Sequence, residues 1–133
     1  MASSRQVSRL RLKLLNQIET LRRLAEVSLG SSRLLAGSLY ERRRRCGRPR
    51  CRCARGRLHR GMALAVGSKS RRRVVSLVGT DLDAVESSIL GYRRLRQTRA
   101  DMTCVFKELV KTFDELGRLR CMDARDLPRT EVR

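Results

Sequence analysis

Residues 46–59 read Cys-Gly-Arg-Pro-Arg-Cys-Arg-Cys-Ala-Arg-Gly-Arg-Leu-His, and this stretch decides what kind of fold the chain can build. Cys46, Cys51, Cys53 and His59 place four soft or borderline ligands inside 14 residues, interrupted by Gly47, Pro49 and Gly56, which let the backbone fold back on itself. Zinc takes thiolate and imidazole ligands in this number and in tetrahedral geometry. Three thiolates and one imidazole leave no position for water, so a single zinc ion is expected to be structural, ordering a segment that has no apolar core of its own. The C-x-C pair departs from the commonest C-x2-C spacing and demands a tight local bend. Two other readings of the same residues stay open: reduced thiols without a metal, and redox cysteines activated by neighbouring Arg. The redox reading lacks a C-x-x-C pair. Cys104 and Cys121 lie far along the chain and read as ordinary thiols of its helical part.

The cluster sits inside a block of charge. The chain of 133 residues carries 32 Lys+Arg against 13 Asp+Glu, a net charge of +19, and residues 42–73 hold 14 of the basic residues and no acid. Of the 32, 28 are Arg, a bias that GC-rich coding alone can produce; coding does not explain why they concentrate in the middle. The partner expected for such a surface is a phosphate polymer. Its contacts are expected at Arg42, Arg43, Arg44, Arg45, Arg48, Arg50, Arg52, Arg55, Arg57 and Arg60, and, beyond the cluster, at Lys69, Arg71, Arg72 and Arg73. Guanidinium groups on fixed loops donate bidentate pairs to phosphate oxygens, read guanine edges or enter a narrow minor groove. With two Phe, two Tyr and no Trp, aromatic base stacking is not expected to be the main binding mode. The plainer alternative is a solvated basic run or a localisation-like tract.

Outward from the block, the hydrophobic pattern changes twice. Met62, Leu64 and Val66, then Gly67-Ser68-Lys69-Ser70, then Val74, Val75, Leu77 and Val78 read as a β-hairpin. Leu34 to Tyr40 fits a helical turn or a strand equally well. Before it, Leu10, Leu14, Ile18, Leu21 and Ala25 recur at three or four residues, the stripe of an amphipathic helix, with Gly30 as a left-handed stop. After the hairpin, Thr80 with Asp83 offers a capping box for a long helix. Its apolar seams are Leu82, Val85, Ile89, Tyr92 and Leu95, then Met102, Phe106, Leu109, Phe113 and Leu116. Arg96-Gln97-Thr98-Arg99 falls out of register between them, so one helix or two are expected. A continuous helix would run for about 60 Å. Helix association is expected through Leu10, Leu14, Ile18, Leu21, Met102, Phe106, Leu109, Phe113 and Leu116, as a helical hairpin, a coiled coil, or a homodimer.

The expected architecture is therefore α+β and mainly α. An N-terminal amphipathic helix (1–33) is followed by a basic Cys/His head with a β-hairpin (34–80), a long C-terminal helix or pair of helices (81–121) and a flexible tail (122–133). No apolar run is long enough to cross a membrane. The first 18 residues, basic and free of acids, resemble a mitochondrial presequence, but their periodicity continues to Leu29 as in a structural helix.

Gly37-Ser38-Leu39 through Arg45, with the Cys46 to His59 stretch, resembles an uncharacterised family of short bacterial proteins bearing a C-G-x-P-x-C-x-C…H motif. Genes of that family are often found beside transposases and integrases. There the motif is followed by a β-hairpin and a helix to whose Tyr-Arg-Arg-Leu-type sequence Tyr92-Arg93-Arg94-Leu95 is similar; the resemblance covers residues 36–96. Members commonly follow the His with Gly-Pro-Tyr and further aromatics, where this chain has Arg60-Gly61-Met62-Ala63. The resemblance implies a DNA-binding accessory subunit working with a transposase or integrase, in the bacterial cytoplasm at the nucleoid. It is the resemblance, not the composition, that favours DNA over RNA.

Catalysis is not expected, and neither is a small-molecule substrate. The single His is needed as a ligand, Asp81, Asp83 and Glu86 suit a helix start, and no acidic triad or recombinase-type Tyr with its general acids can be assembled. Two other functions remain open at this point: an RNA-binding or ribosome-associated small zinc protein, and a helical protein-interaction adaptor with a basic disordered segment.

Overall fold

The computed structural model describes residues 4–128. In chain order these form helix α1 (Ser4–Ser28), strand β1 (Ser38–Arg44), a 3-10 turn (Arg52–Arg55), strands β2 (His59–Val66) and β3 (Arg73–Ser76), helix α2 (Leu82–Arg120) and a second 3-10 turn (Ala124–Asp126). Two compact units result: Ser31–Arg96 forms one, and α1 with the described residues from Gln97 onward forms the other, so α2 contributes to both. The expected mixture of two helices and a small β head is what the chain builds.

The head is a three-stranded antiparallel sheet in the order β1-β2-β3. The β2–β3 hairpin falls where the apolar runs placed it, turning through Gly67, whose φ of +97° suits a residue without Cβ. Of the segment that fitted helix or strand, only Ser38–Tyr40 takes a regular form, as the start of β1, which is paired along its whole length from Ser38 opposite Ala65 to Arg44 opposite His59. Two contacts hold it there. The Leu35 amide donates to the Ser88 carbonyl at 3.1 Å. At Gly37 a Cβ would stand 2.8 Å from Leu64 Cδ1 and 3.0 Å from the Ala65 carbonyl oxygen, so the missing side chain lets the chain pass close to β2. Arg42, Arg43 and Arg44 therefore lie on a strand and not in the loop. Strand β3 ends at Ser76, earlier than the run of valines and leucine suggested. Leu77 is buried and its amide donates to the Met62 carbonyl at 3.1 Å, while Val78 is exposed.

One sheet face packs on the first turns of α2, where Leu64, Leu77 and Ile89 are buried with Leu35, Leu39, Met62, Val66 and Val85 around them. The helix starts on Asp81, whose Oδ1 accepts from the amides of Asp83 at 3.1 Å and Ala84 at 3.2 Å. Asp81 is thus the cap, replacing the expected Thr80–Asp83 box: a carboxylate at that position reaches two orphan amides alone.

In the helical unit, α1 turns Val7, Leu10, Leu14, Gln17, Leu21, Leu24 and Ser28 inward, and α2 turns Thr98, Met102, Val105, Leu109, Thr112, Leu116 and Leu119 inward. Both lines alternate steps of three and four residues. The Lys111 side chain bonds Glu108 of α2 directly and lowers its carboxyl pKa, and Lys13 of α1 lies near enough to add a smaller lowering. Three residues expected in the seam are outside it: Ile18 is 49%, Phe106 56% and Phe113 62% exposed. The inward line follows threonines instead of phenylalanines. Thr112, 2% exposed, returns its hydroxyl to the Glu108 carbonyl at 3.0 Å and so buries as an apolar residue would. Thr98 is buried as well, and of the two alternatives the chain takes the continuous one: α2 is one helix of 39 residues through Arg96–Arg99.

Helix α1 ends at Ser28 without a left-handed Gly30; positive φ among glycines falls at Gly47, Gly56, Gly67 and Gly79. After α2, the expected tail begins with a capped turn, Asp123 Oδ1 accepting from the Arg125 amide at 2.9 Å. Its last residues, 129–133, lie outside the described residues. Among the described residues no helix is long and apolar enough to cross a membrane.

Candidate functional site

The β1–β2 ladder closes at Arg44 opposite His59, which brings the two ends of the 45–58 loop together. Inside the loop, Pro49 presets φ for a turn whose Cys51 amide donates to the Arg48 carbonyl at 3.1 Å. Cys51 is extended, with φ −77° and ψ 143°, and caps the 3-10 turn Arg52–Arg55 that carries Cys53. That turn is the tight bend the C-x-C spacing requires. It ends on Gly56 at φ +94°, with the Gly56 amide donating to Cys53 O and the Arg57 amide to Arg52 O, each at 3.3 Å. A left-handed glycine terminating a helical turn costs no Cβ clash.

The result is a convergence of four donor atoms. The Sγ atoms of Cys46, Cys51 and Cys53 and an imidazole nitrogen of His59 all lie within 4.8 Å of one another. Cys51 Sγ is 3.1 Å from His59 Nε2, and Cys46 Sγ is 3.5 Å from Cys53 Sγ. Ligands held tetrahedrally at zinc bond lengths of about 2.0–2.3 Å stand about 3.5–3.8 Å apart, so the donors need move little to take an ion. The chemistry of the set agrees: three thiols and one imidazole, Cys53 only 1% exposed. The four residues lie close enough to hold a metal ion.

Charge in the cluster is unevenly shared. The Arg48 amide and then the Cys53 thiol hydrogen-bond Cys46 and bring its pKa down to about 6, which favours the thiolate. The Cys46 amide, 3.3 Å from Cys53 Sγ, pulls Cys53 down, but burial and the neighbouring Cys46 and Cys51 sulfurs outweigh it and push Cys53 up. A redox pair needs two sulfurs; here a third sulfur and a ring nitrogen converge on the same point.

All 14 basic residues singled out in the sequence are exposed. Arg42, Arg43 and Arg44 are on β1 and Arg60 on β2; Arg45, Arg48, Arg50, Arg52, Arg55 and Arg57 ride on the cysteine loop; Lys69, Arg71 and Arg72 are in the β2–β3 turn and Arg73 opens β3. Two of them are partly neutralised, since Glu41 takes Arg43 at 3.3 Å and Arg60 at 3.5 Å. Sequence reasoning missed Tyr40, Gly61, Ala63 and Ser76, which share a sheet face with Arg42, Arg44 and His59. The signal for them is the alternation of β1 against β2, invisible until Ser38–Arg44 is known to be a strand.

A family model described as Domain of unknown function (DUF6788) matches residues 5–79, more than half of the chain, and the chain belongs to that family. The match agrees with the expected membership of an uncharacterised family, and the matched residues include all four metal-ligand candidates. Comparisons with curated proteins and with solved structures find no match.

Proposed function

We propose that this DUF6788 member is a non-enzymatic, DNA-binding accessory protein whose head is ordered by one zinc ion on Cys46, Cys51, Cys53 and His59. The observation that carries the reading is the convergence of four donor atoms within 4.8 Å at the root of a loop bearing exposed Arg residues. Zinc in such a site cross-links backbone and supplies no open coordination position for chemistry. The chain's own residues do the binding: the 3-10 turn and its left-handed glycine fix where Arg52, Arg55 and Arg57 leave the loop, so their guanidinium groups meet phosphate oxygens without a large ordering cost.

The helical unit serves association, with another copy or with a transposase or integrase. Its three-and-four spacing suits coiled-coil packing, and exposed Ile18, Phe106 and Phe113 offer apolar surface beyond the inward seam. The work of the protein is then to hold DNA near a recombinase at the bacterial nucleoid, a role that rests on the resemblance at Cys46 to His59.

The test is fluorescence anisotropy of labelled DNA and of RNA of the same sequence, with and without a zinc chelator. DNA binding that falls about a thousandfold between 50 and 200 mM salt, as about six phosphate contacts require, and that disappears with the metal supports the reading. Tighter binding of RNA transfers the head to an RNA partner. Absence of binding to either polymer leaves a helical adaptor.

A further inference from the structure

The sheet of the head has two faces, and only one is covered by α2. Alternation along the strands puts Tyr40, Arg42 and Arg44 of β1 on the other face, opposite Ala63, Gly61 and His59 of β2. A cavity of about 200 Å³ opens on this face between Arg42, Arg44 and His59, with Gly61 and Ala63 among its lining and no acid. A second cavity, of about 560 Å³, lies at the other end of the same face, against Ser38, Ala65, Lys69 and Arg72. Each has basic side chains in its wall. Gly61 and Ala65 mark the two ends, about 13 Å apart at about 3.3 Å per strand residue. Tyr40 stands between them, in register with the buried Ala63.

From this layout we infer that the open face of the sheet is a track for one unpaired strand of DNA, running from the cysteine loop to the β2–β3 turn. The inference rests on the DNA-binding reading and specifies the form of DNA. The smaller cavity falls below the roughly 300–1,000 Å³ of sites that enclose drug-sized ligands, which suits one flat group held between guanidinium planes. Bases with free faces stack on guanidinium groups and on an aromatic ring such as Tyr40; bases inside a duplex present no free face to a sheet. Basic residues at both ends take phosphates, and the distance between them corresponds to about four stacked nucleotides at about 3.4 Å each. Ala63 and Ala65 are buried beneath their neighbours, and Gly61 is the exposed small residue of the central strand. At Gly61 an added Cβ would meet no atom within 4 Å, so the space above it is open.

The full chain with its native metal content is titrated against a labelled single-stranded DNA of about 12 nucleotides, a length within the range such modules occupy, and against the duplex of the same sequence at one salt concentration. The single strand should bind at least about tenfold more tightly, the effect of one to two stacked bases. Gly61→Leu puts a side chain into the track, its Cβ meeting no atom within 4 Å, and should weaken single-strand binding by about tenfold or more while zinc content stays unchanged. The double variant Arg44→Gln with Arg72→Gln, both exposed side chains, should do the same and decides the matter should Gly61→Leu fail to hold metal. Equal or tighter binding of the duplex overturns the track, as does wild-type affinity in the double variant. Binding of neither DNA form overturns the DNA-binding reading beneath it.

Discussion

Gly56 is a point where the candidate metal site depends on a single backbone angle. Its φ of +94° lets the 3-10 turn stop just after Cys53, and an L residue with a side chain resists that region by about 1–2 kcal/mol. Gly56→Ala is therefore expected to weaken zinc affinity by about tenfold in a chelator competition, through geometry alone, with every ligand still present. Replacing ligands does more. Cys51→Ser with Cys53→Ser removes two donors from a site of a kind that contributes about 10 kcal/mol to folding, so the head should unfold and DNA retention should vanish. Far-ultraviolet circular dichroism should keep most of the helical signal in that variant, because α1 and α2 do not draw on the metal. The four residues whose donor atoms converge were legible as a group in the sequence, since spacing and ligand type are written there directly. The donor distances and the unequal thiol pKa values were not, because they depend on the β1–β2 ladder closing beside the loop.

At the scale of elements, the two helices illustrate which packing a sequence discloses. Existence and approximate length of both were readable from apolar periodicity. The phase of α2 was not, because Thr98 and Thr112 occupy inward positions that a count of large apolar residues passes over. Strand β1 escaped assignment for a related reason: beyond Tyr40 it is Glu-Arg-Arg-Arg, whose strand character comes from pairing with β2 and not from its own side chains. The corrected phase makes a contrast that thermal melts can check. Leu116→Ala, at a buried position, should cost about 2–5 kcal/mol, whereas Phe113→Ala at an exposed one should stay within about 0.5 kcal/mol in dilute solution.

Helix α1 has its own electrostatic signature. Glu19 hydrogen-bonds Arg22 at 2.8 Å and Arg23 at 3.0 Å, and those bonds lower its carboxyl from 4.5 to about 2. A carboxylate lowered by folding stabilises the helix above pH 4.5, and the contribution is lost as pH falls toward 2. Glu19→Gln should thus flatten the dependence of melting temperature on pH across that interval, the effect being small because the pair is exposed.

For the whole molecule, charge divides as the structure does. Residues 31–96 carry 18 Lys+Arg and four acids, and the remainder carries 14 and nine. On the proposed reading, nucleic-acid attraction falls to the first unit and association through apolar surface to the second, and the two should be separable by mutation. Reversing charge at Arg48, Arg52 and Arg55 is expected to lower the salt slope of DNA binding by about 0.9 for each phosphate that is no longer neutralised, with zinc content unchanged. An unchanged slope would move the footprint to other residues. All of these expectations pass through one premise, that a metal ion joins Cys46, Cys51, Cys53 and His59. Elemental analysis of the protein purified without added metal tests it most directly. One zinc per chain, absent from the Cys51→Ser, Cys53→Ser variant, is the predicted result; a well-folded chain that binds DNA with no stoichiometric metal would contradict it.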